Sequence, residues 1–317
     1  MENYYLGIDL GGTTTKFGLV TTEGRLKKEW WIPTDCRQNG TRIIPDCLAS
    51  IQKELASELK QKRILGIGMG CPGAVDRVHG TVSNAFNLGW THAQPIRAAF
   101  EQSLCLPFFL ENDANAAALG EKWQGSGDGE KDVVFLTLGT GVGGGVILND
   151  QLVTGVGGAG GEIGHFPVTN PHSFDCSCGN SSCLETLVSA TGIVKLAESY
   201  RLSTATTLND CPKLTSAIIF AEAEKGDLLA LKVVNEAANY LGQACSMIAN
   251  LLNPHSIIIG GGVAEAKDFL MDRVRARFEQ GNFPAVRKTT KLKRASLGKD
   301  AGIFGAAYLV KIRNTAG

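Results

Sequence analysis

The sequence has no long hydrophobic run. Its apolar stretches, such as Ser256 to Ile259, fall far short of the roughly 20 residues that a membrane-spanning helix needs. Charge of one sign is also missing, since Lys plus Arg and Asp plus Glu both number 31. Without a basic tract there is no electrostatic footprint for nucleic acid or for an anionic membrane. An export signal is not seen either: Met1 to Gly7 carries an acid and two tyrosines, where a signal peptide needs a basic start and an apolar core. The expectation is a cytoplasmic chain. Two common nucleotide signatures are absent as well. There is no Walker Gly-Lys-Ser/Thr, and Gly11-Gly12 opens a second strand instead of the helix that a Rossmann fingerprint requires. What remains is a chain of 317 residues, 44% apolar and 20% charged, a globular balance long enough for two domains.

The 39 glycines cluster behind short apolar runs, where a strand ends and the backbone turns sharply. Tyr4 to Val20 reads as a strand, a Gly11-Gly12-Thr13 turn and a second strand, with a third from about Arg25 to Trp31. Val133 to Asp150 repeats that grammar around Gly139-Thr140-Gly141. This is a weak internal repeat of plan more than of identity, and it suggests a duplicated hairpin. A third glycine turn, Gly260-Gly261-Gly262, follows the strand Ile257 to Ile259. Free N–H groups in such turns bind phosphate oxygens, because glycine has no Cβ to hold the phosphate away. Two such loops could hold the β- and γ-phosphates of a nucleotide, with Thr13, Thr14 and Thr140 adding hydroxyls. Asp9 would then face the phosphates and help to position Mg²⁺ through water.

Pro107 to Gly120 reads as a strand, a polar turn and an Ala-rich helix. Asn112, Asp113 and Asn115 crowd the helix start, where side-chain oxygens cap free N–H groups. Capping accounts for one of the three. A fixed Asp113 at the carboxyl end of a strand, near phosphate loops, can accept a proton from an attacking hydroxyl.

Six of the nine cysteines are dispersed, and an odd count without an export signal favours reduced thiols. The other three lie with His165 in the spacing H-x₁₀-C-x-C-x₄-C, as Cys176, Cys178 and Cys183. One His and three Cys suit a closed, tetrahedral, structural zinc. The loop that this metal would close carries Glu162 and Glu185 at its ends, both good acceptors for sugar diols.

Taken together, these segments resemble the ROK family of sugar kinases and repressors, and within it the bacterial glucokinases. The resemblance runs through Asp9-Leu-Gly-Gly-Thr13, Lys16, Gly68 to Gly73, Asn87-Leu-Gly-Trp90, Glu111 to Asn115, Leu138 to Gly144, Glu162-Ile-Gly-His165, the cysteine knot and Gly260 to Gly262. It implies an α/β, actin-like (ribonuclease H-like) ATPase fold, with two lobes around a central cleft, each a mixed sheet flanked by helices. It implies Asp113 as the catalytic base, with Gly73, Asn112, Glu162, His165 and Glu185 at the sugar. His165 would serve both metal and sugar. ATP would lie on Asp9, Gly11, Gly12, Thr13, Thr14, Lys16, Gly139, Thr140, Gly141 and Gly260 to Gly262. The expected cofactors are ATP, Mg²⁺ and structural Zn²⁺, the expected sugar is glucose, and members are commonly dimers or tetramers.

The first lobe is expected over residues 1–114 plus 302–317 and the second over 115–301. One departure from the family is Ser182, which replaces the second glycine of Cys-x-Cys-Gly-x-x-Gly-Cys; a positive φ there would strain a serine. Kinases of N-acetylmannosamine, N-acetylglucosamine or fructose share the site, and the segment Asn87 to Trp90 followed by Pro95 tilts the reading to glucose. A polyphosphate donor would require a basic groove, for which no Lys/Arg cluster stands out. Repressors of the family carry a helix-turn-helix ahead of the first loop, for which the position of Asp9 leaves no room.

Overall fold

The computed structural model describes residues 2–201 and 205–314. Residues 315–317 of the expected first lobe lie outside the described residues. The first glycine hairpin is β1 (Tyr4–Leu10) and β2 (Thr14–Thr21), continued by β3 (Leu26–Pro33). β3 starts one residue later than the alternation predicts, because Arg25 closes the turn: its carbonyl accepts from Thr21 N–H (2.9 Å) and its N–H donates to Thr21 Oγ1 (3.1 Å). It ends later because Thr34 N–H still pairs with the Thr13 carbonyl. β4 (Ile64–Cys71) pairs parallel with β1. β5 (Ala74–Asp76) and β6 (Thr81–Ser83) form a separate two-stranded ribbon, and β7 (Phe108–Asn112) completes the sheet in the order β3-β2-β1-β4-β7.

The second sheet contains β8 (Val133–Leu138), β9 (Val142–Leu148), β10 (Gln151–Leu152), β11 (Ser256–Gly260) and β12 (Lys291–Arg294). Its order is β10-β9-β8-β11-β12. In each sheet three antiparallel strands lead into parallel pairing. The repeat in the sequence is therefore a duplication of strand order and sense. This is the duplicated plan of the actin-like ATPases, and the expected fold class is correct.

The central strands are buried along nearly their whole length, β1 as Tyr-Tyr-Leu-Gly-Ile-Asp-Leu and β11 as Ser-Ile-Ile-Ile-Gly. Such near-continuous apolar runs are what strands covered on both faces require. The first core gathers Leu6, Ile8, Phe17, Met69, Phe100 and Phe108, and the second gathers Leu136, Leu138, Ile257 and Ile259 with the long helix Leu228–Leu252. Among the described residues, no helix is long and apolar enough to cross a membrane.

Two helices join the sheets, Asp113–Gln124 and Ala301–Asn314. Small residues let them approach. A Cβ on Gly305 would collide with the Ala116 carbonyl, and one on Gly68 with the Ala306 carbonyl. On the other side, a Cβ on Gly143 of β9 would come within 2.7 Å of Ala114 Cβ. The Ala-rich helix thus touches both sheets from its first turn. Buried Glu121 on that helix accepts from the N–H groups of Ser296 (3.1 Å) and Leu297 (2.8 Å). It thereby anchors the segment that leads into the last helix.

Candidate active site

The β1–β2 loop is closed by one bond, from Gly11 N–H to the Thr14 carbonyl (3.1 Å). Among the described residues, the N–H groups of Gly12 and Thr13 donate to nothing in the chain. Asn87, from the Asn-Leu-Gly-Trp segment, lies against this loop; a Cβ on Gly12 would be 3.3 Å from its Nδ2. Asp9 stands at the end of β1, opposite Lys16 in the register, with Lys16 Nζ 3.9 Å from its Oδ2. Lys16 also donates to the Lys299 carbonyl (3.0 Å), and a Cβ on Gly302 would lie 2.7 Å from Asp9 Cγ. Burial pushes the Asp9 carboxyl up to about 6; Lys16 holds it down, while Asp113 and Asp300 push it further up. Asp300 Oδ1 is buried and unpartnered among the described residues.

The β8–β9 loop is one residue tighter, closed from Gly139 N–H to the Gly141 carbonyl (2.9 Å), and among the described residues it too leaves two N–H groups without an acceptor, those of Thr140 and Gly141. Its carbonyls are tied down behind: Gly139's by Ala190 N–H (2.8 Å) and Thr140's by Thr191 Oγ1 (2.6 Å). The third glycine turn packs on the same strand end. Gly261 has φ +85°, and a Cβ there would lie 2.5 Å from Leu138 N. Residues 139–141 and 260–262 are therefore neighbours.

Asp113 begins its helix directly after β7. Asn112 is the N-cap; its Oδ1 accepts from the N–H groups of Ala114 (2.9 Å) and Asn115 (3.3 Å). A Cβ on Gly70, the β4 residue opposite Asp9, would be 3.6 Å from Asp113 Cα. With Ala114 against Gly143, this places Asp113 where both hairpins meet. Asp113 is exposed, and its carboxylate accepts from Ala114 N–H (2.8 Å). Although it reaches solvent, the protein packed around it desolvates the carboxyl and raises it above the ordinary carboxylate range, with the Ala114 N–H and the Asn112 side chain holding it back.

Beneath it lies a network that the motifs did not reveal. Glu111, 2% exposed, takes a bidentate ion pair from Arg77, through Nε (2.6 Å) and Nη2. Glu111 Oε1 also accepts from Asn112 N–H (2.9 Å) and Asn115 Nδ2 (3.0 Å). Asn115 is thus a partner of Glu111, distinct from the cap.

Arg77, Asn112, Asn115, Gly73 and Glu162 line one cavity of about 790 Å³. Gly73 has φ +100°, and a Cβ there would press within 2.7 Å of the Ser83 carbonyl, so glycine is required at that wall. Glu185 opens elsewhere. Its Oε2 accepts from Val142 N–H (2.9 Å), and it lines a cavity of about 320 Å³ with Thr140, Gly141 and Lys195. His165 joins the two regions: Nε2 lies 3.8 Å from Glu162 Oε2, and Nδ1 lies 3.5 Å from Cys176 Sγ. Cys176 Sγ is in turn 3.6 Å from Glu185 Oε1.

The ligand atoms of His165, Cys176, Cys178 and Cys183 all lie within 4.8 Å of one another. Cys178 and Cys183 sulfurs are 3.7 Å apart. With Zn–S bonds of about 2.3 Å, the edge of a tetrahedron is about 3.8 Å, so the donor set fits zinc.

A model of the ROK family matches residues 5–313. The chain is 40% identical over 316 residues to a glucokinase of Halalkalibacterium halodurans, across 98% of this chain and 96% of that one. Among solved structures it is similar to a ROK family glucokinase from Streptomyces griseus in complex with glucose and AMPPNP. That match has 31% identity and a TM-score of 0.77, over 97% of this chain and 99% of the other. A ROK hexokinase from Thermus thermophilus matches with 31% identity and a TM-score of 0.82, over all of both chains.

Proposed function

The chain belongs to the ROK family, and from that premise we propose that it transfers the γ-phosphoryl group of ATP to glucose, forming glucose 6-phosphate. One observation carries the reading. Asp113 sits where two phosphate-type hairpins meet, next to a cavity large enough for a hexose. Asp113 accepts the proton of the attacking sugar hydroxyl. Its raised pKa brings the base nearer to operating pH, which eases that transfer. The free N–H groups of Gly12, Thr13, Thr140 and Gly141 orient the phosphates, with Lys16 and the 260–262 turn beside them. Asp9 would hold Mg²⁺ through water, and the ion would supply neutralisation of phosphate charge.

On the sugar side, Gly73, Asn112, Glu162, His165 and Glu185 are assigned to the hydroxyls. Cys176, Cys178, Cys183 and His165 would hold a structural zinc that fixes Glu162 and Glu185 without entering the chemistry. The lobe limits 1–114 plus 302–317 and 115–301 are supported by the separate sheets, with the helix from Asp113 as the bridge. A cytoplasmic dimer or tetramer completes the reading.

Phosphorylation of glucose, mannose, fructose, N-acetylmannosamine and N-acetylglucosamine with ATP tests it. Glucose is expected to give the highest kcat/KM. Preference for an N-acetyl sugar or fructose would reassign the substrate, and turnover of none would overturn the kinase reading.

A further inference from the structure

Arg77 belongs to none of the family segments, yet it occupies the meeting point of the two walls of the larger cavity. On one side its Nε and Nη2 are both committed to Glu111, whose Oε1 fixes the Asn112 N–H and the Asn115 amide. That is the junction from which Asp113 projects. On the other side Nη1 faces the glycine loop that ends in Glu162: a Cβ on Gly158 would lie 3.2 Å from Nη1. The backbone behind Arg77 is held independently. Arg97 donates to the carbonyls of Arg77 (2.8 Å), Val78 (3.0 Å) and Phe108 (3.3 Å), stapling the turn after β5 to β7.

We infer that Arg77 is a positioning residue for the sugar: braced by Glu111, it sets the resting place of loop 154–162 and so the distance between Glu162 and the Asn112–Asp113 wall. A planar guanidinium suits this task, because two of its nitrogens can be locked on a carboxylate while the third stays directed outward. The loop itself supplies little rigidity, with five glycines between Thr154 and Glu162. Arg77 acts through the two walls and takes no part in phosphoryl transfer.

The inference rests on the sugar-kinase reading, and its test separates the two. Glucose binding is measured by calorimetry without ATP, with steady-state kinetics and amide hydrogen exchange over 154–162. Two variants are compared with the wild type. Arg77→Lys keeps a cation for Glu111 but loses the fork. Arg77→Ala/Glu111→Gln removes both charges while leaving an oxygen for Asn115, which avoids a stranded buried charge. Both are expected to bind glucose roughly tenfold more weakly, with faster exchange over 154–162 and KM for ATP within about twofold of wild type. Wild-type glucose affinity in both folded variants, or sugar and ATP constants rising together, would overturn the brace. If the wild type takes no glucose, the substrate reading fails, and unchanged exchange over 154–162 would still sink the brace.

Discussion

The two glycine hairpins share a plan, with the second loop one residue tighter, and differ in charge. Asp9 stands two residues before Gly11; at the same place before Gly139 stands Thr137. Across the hairpin Asp9 faces Lys16, whereas Thr137 faces Gly143. Each loop is closed by one bond and, among the described residues, leaves two N–H groups without an acceptor. The second loop is supported from behind by Ala190, Thr191 and Glu185, the first by the start of the last helix and by Lys16. Duplication thus supplied a glycine loop with outward N–H groups twice. The acidic chemistry was placed on one side only, where Asp9, Asp113 and Asp300 share a field.

The largest expected effect comes from removing the proposed base, Asp113, on the charged side. Asp113→Asn keeps the shape of the side chain and an oxygen for Ala114 N–H, so the helix start should survive. General-base catalysis is worth about 10²–10⁴ in rate, and kcat should fall by that order while glucose binds within a few-fold of wild type. Near-normal turnover would remove Asp113 from the chemistry. It would also break the asymmetry between the hairpins, since neither would then carry the reactive group.

Much of this site was legible because its parts are local in sequence. A loop of consecutive glycines and threonines, a carboxylate at a strand end, and a His and three Cys with metal-ligand spacing in one short segment all announce themselves by spacing. The Asn112 cap could be read the same way. The rest depends on contacts between distant segments. Asp300 acts on Asp9 across the fold, from a segment that Glu121 holds at Ser296 and Leu297. The ion pair of Arg77 with Glu111 spans 34 positions and matches no motif. The two glutamates at the ends of the cysteine loop looked equivalent, but the Val142 N–H turns Glu185 toward the second hairpin while Glu162 opens on the cavity of about 790 Å³. Only the fold could separate them.

Neutralising Asp9 makes the first hairpin resemble the second. Its carboxyl titrates near 3.8 when unfolded and about 6 when folded. Between those values the folded chain holds a proton that the unfolded chain has lost. Stability attributable to Asp9 therefore falls as pH rises through that window, the reverse of a salt-bridged carboxylate. Below pH 4 Asp9→Asn should melt with the wild type; at pH 7.5 it should melt higher, by on the order of 3 °C. A melting difference that does not change with pH would refute the burial effect. Because a proton competes with a cation at Asp9, KM for Mg·ATP should also rise in the wild type as pH drops below about 6.

The smallest effect concerns the loop that supports the second hairpin. Ser182 has φ +62°, so the position does demand the left-handed region that favours glycine. Its N–H donates to the Phe174 carbonyl and its carbonyl accepts from Val168 N–H, both at 2.9 Å, and neither bond needs a side chain. Ser182→Gly removes the Cβ strain but adds unfolded-state entropy, for a net gain of about 0.5 kcal/mol. Elemental analysis should find about one zinc per chain in both proteins, with slower zinc release in the variant and unchanged kcat. A metal-free, fully active protein would refute the zinc assignment. A glycine variant that loses stability would show instead that the serine hydroxyl contributes more than its backbone angle costs.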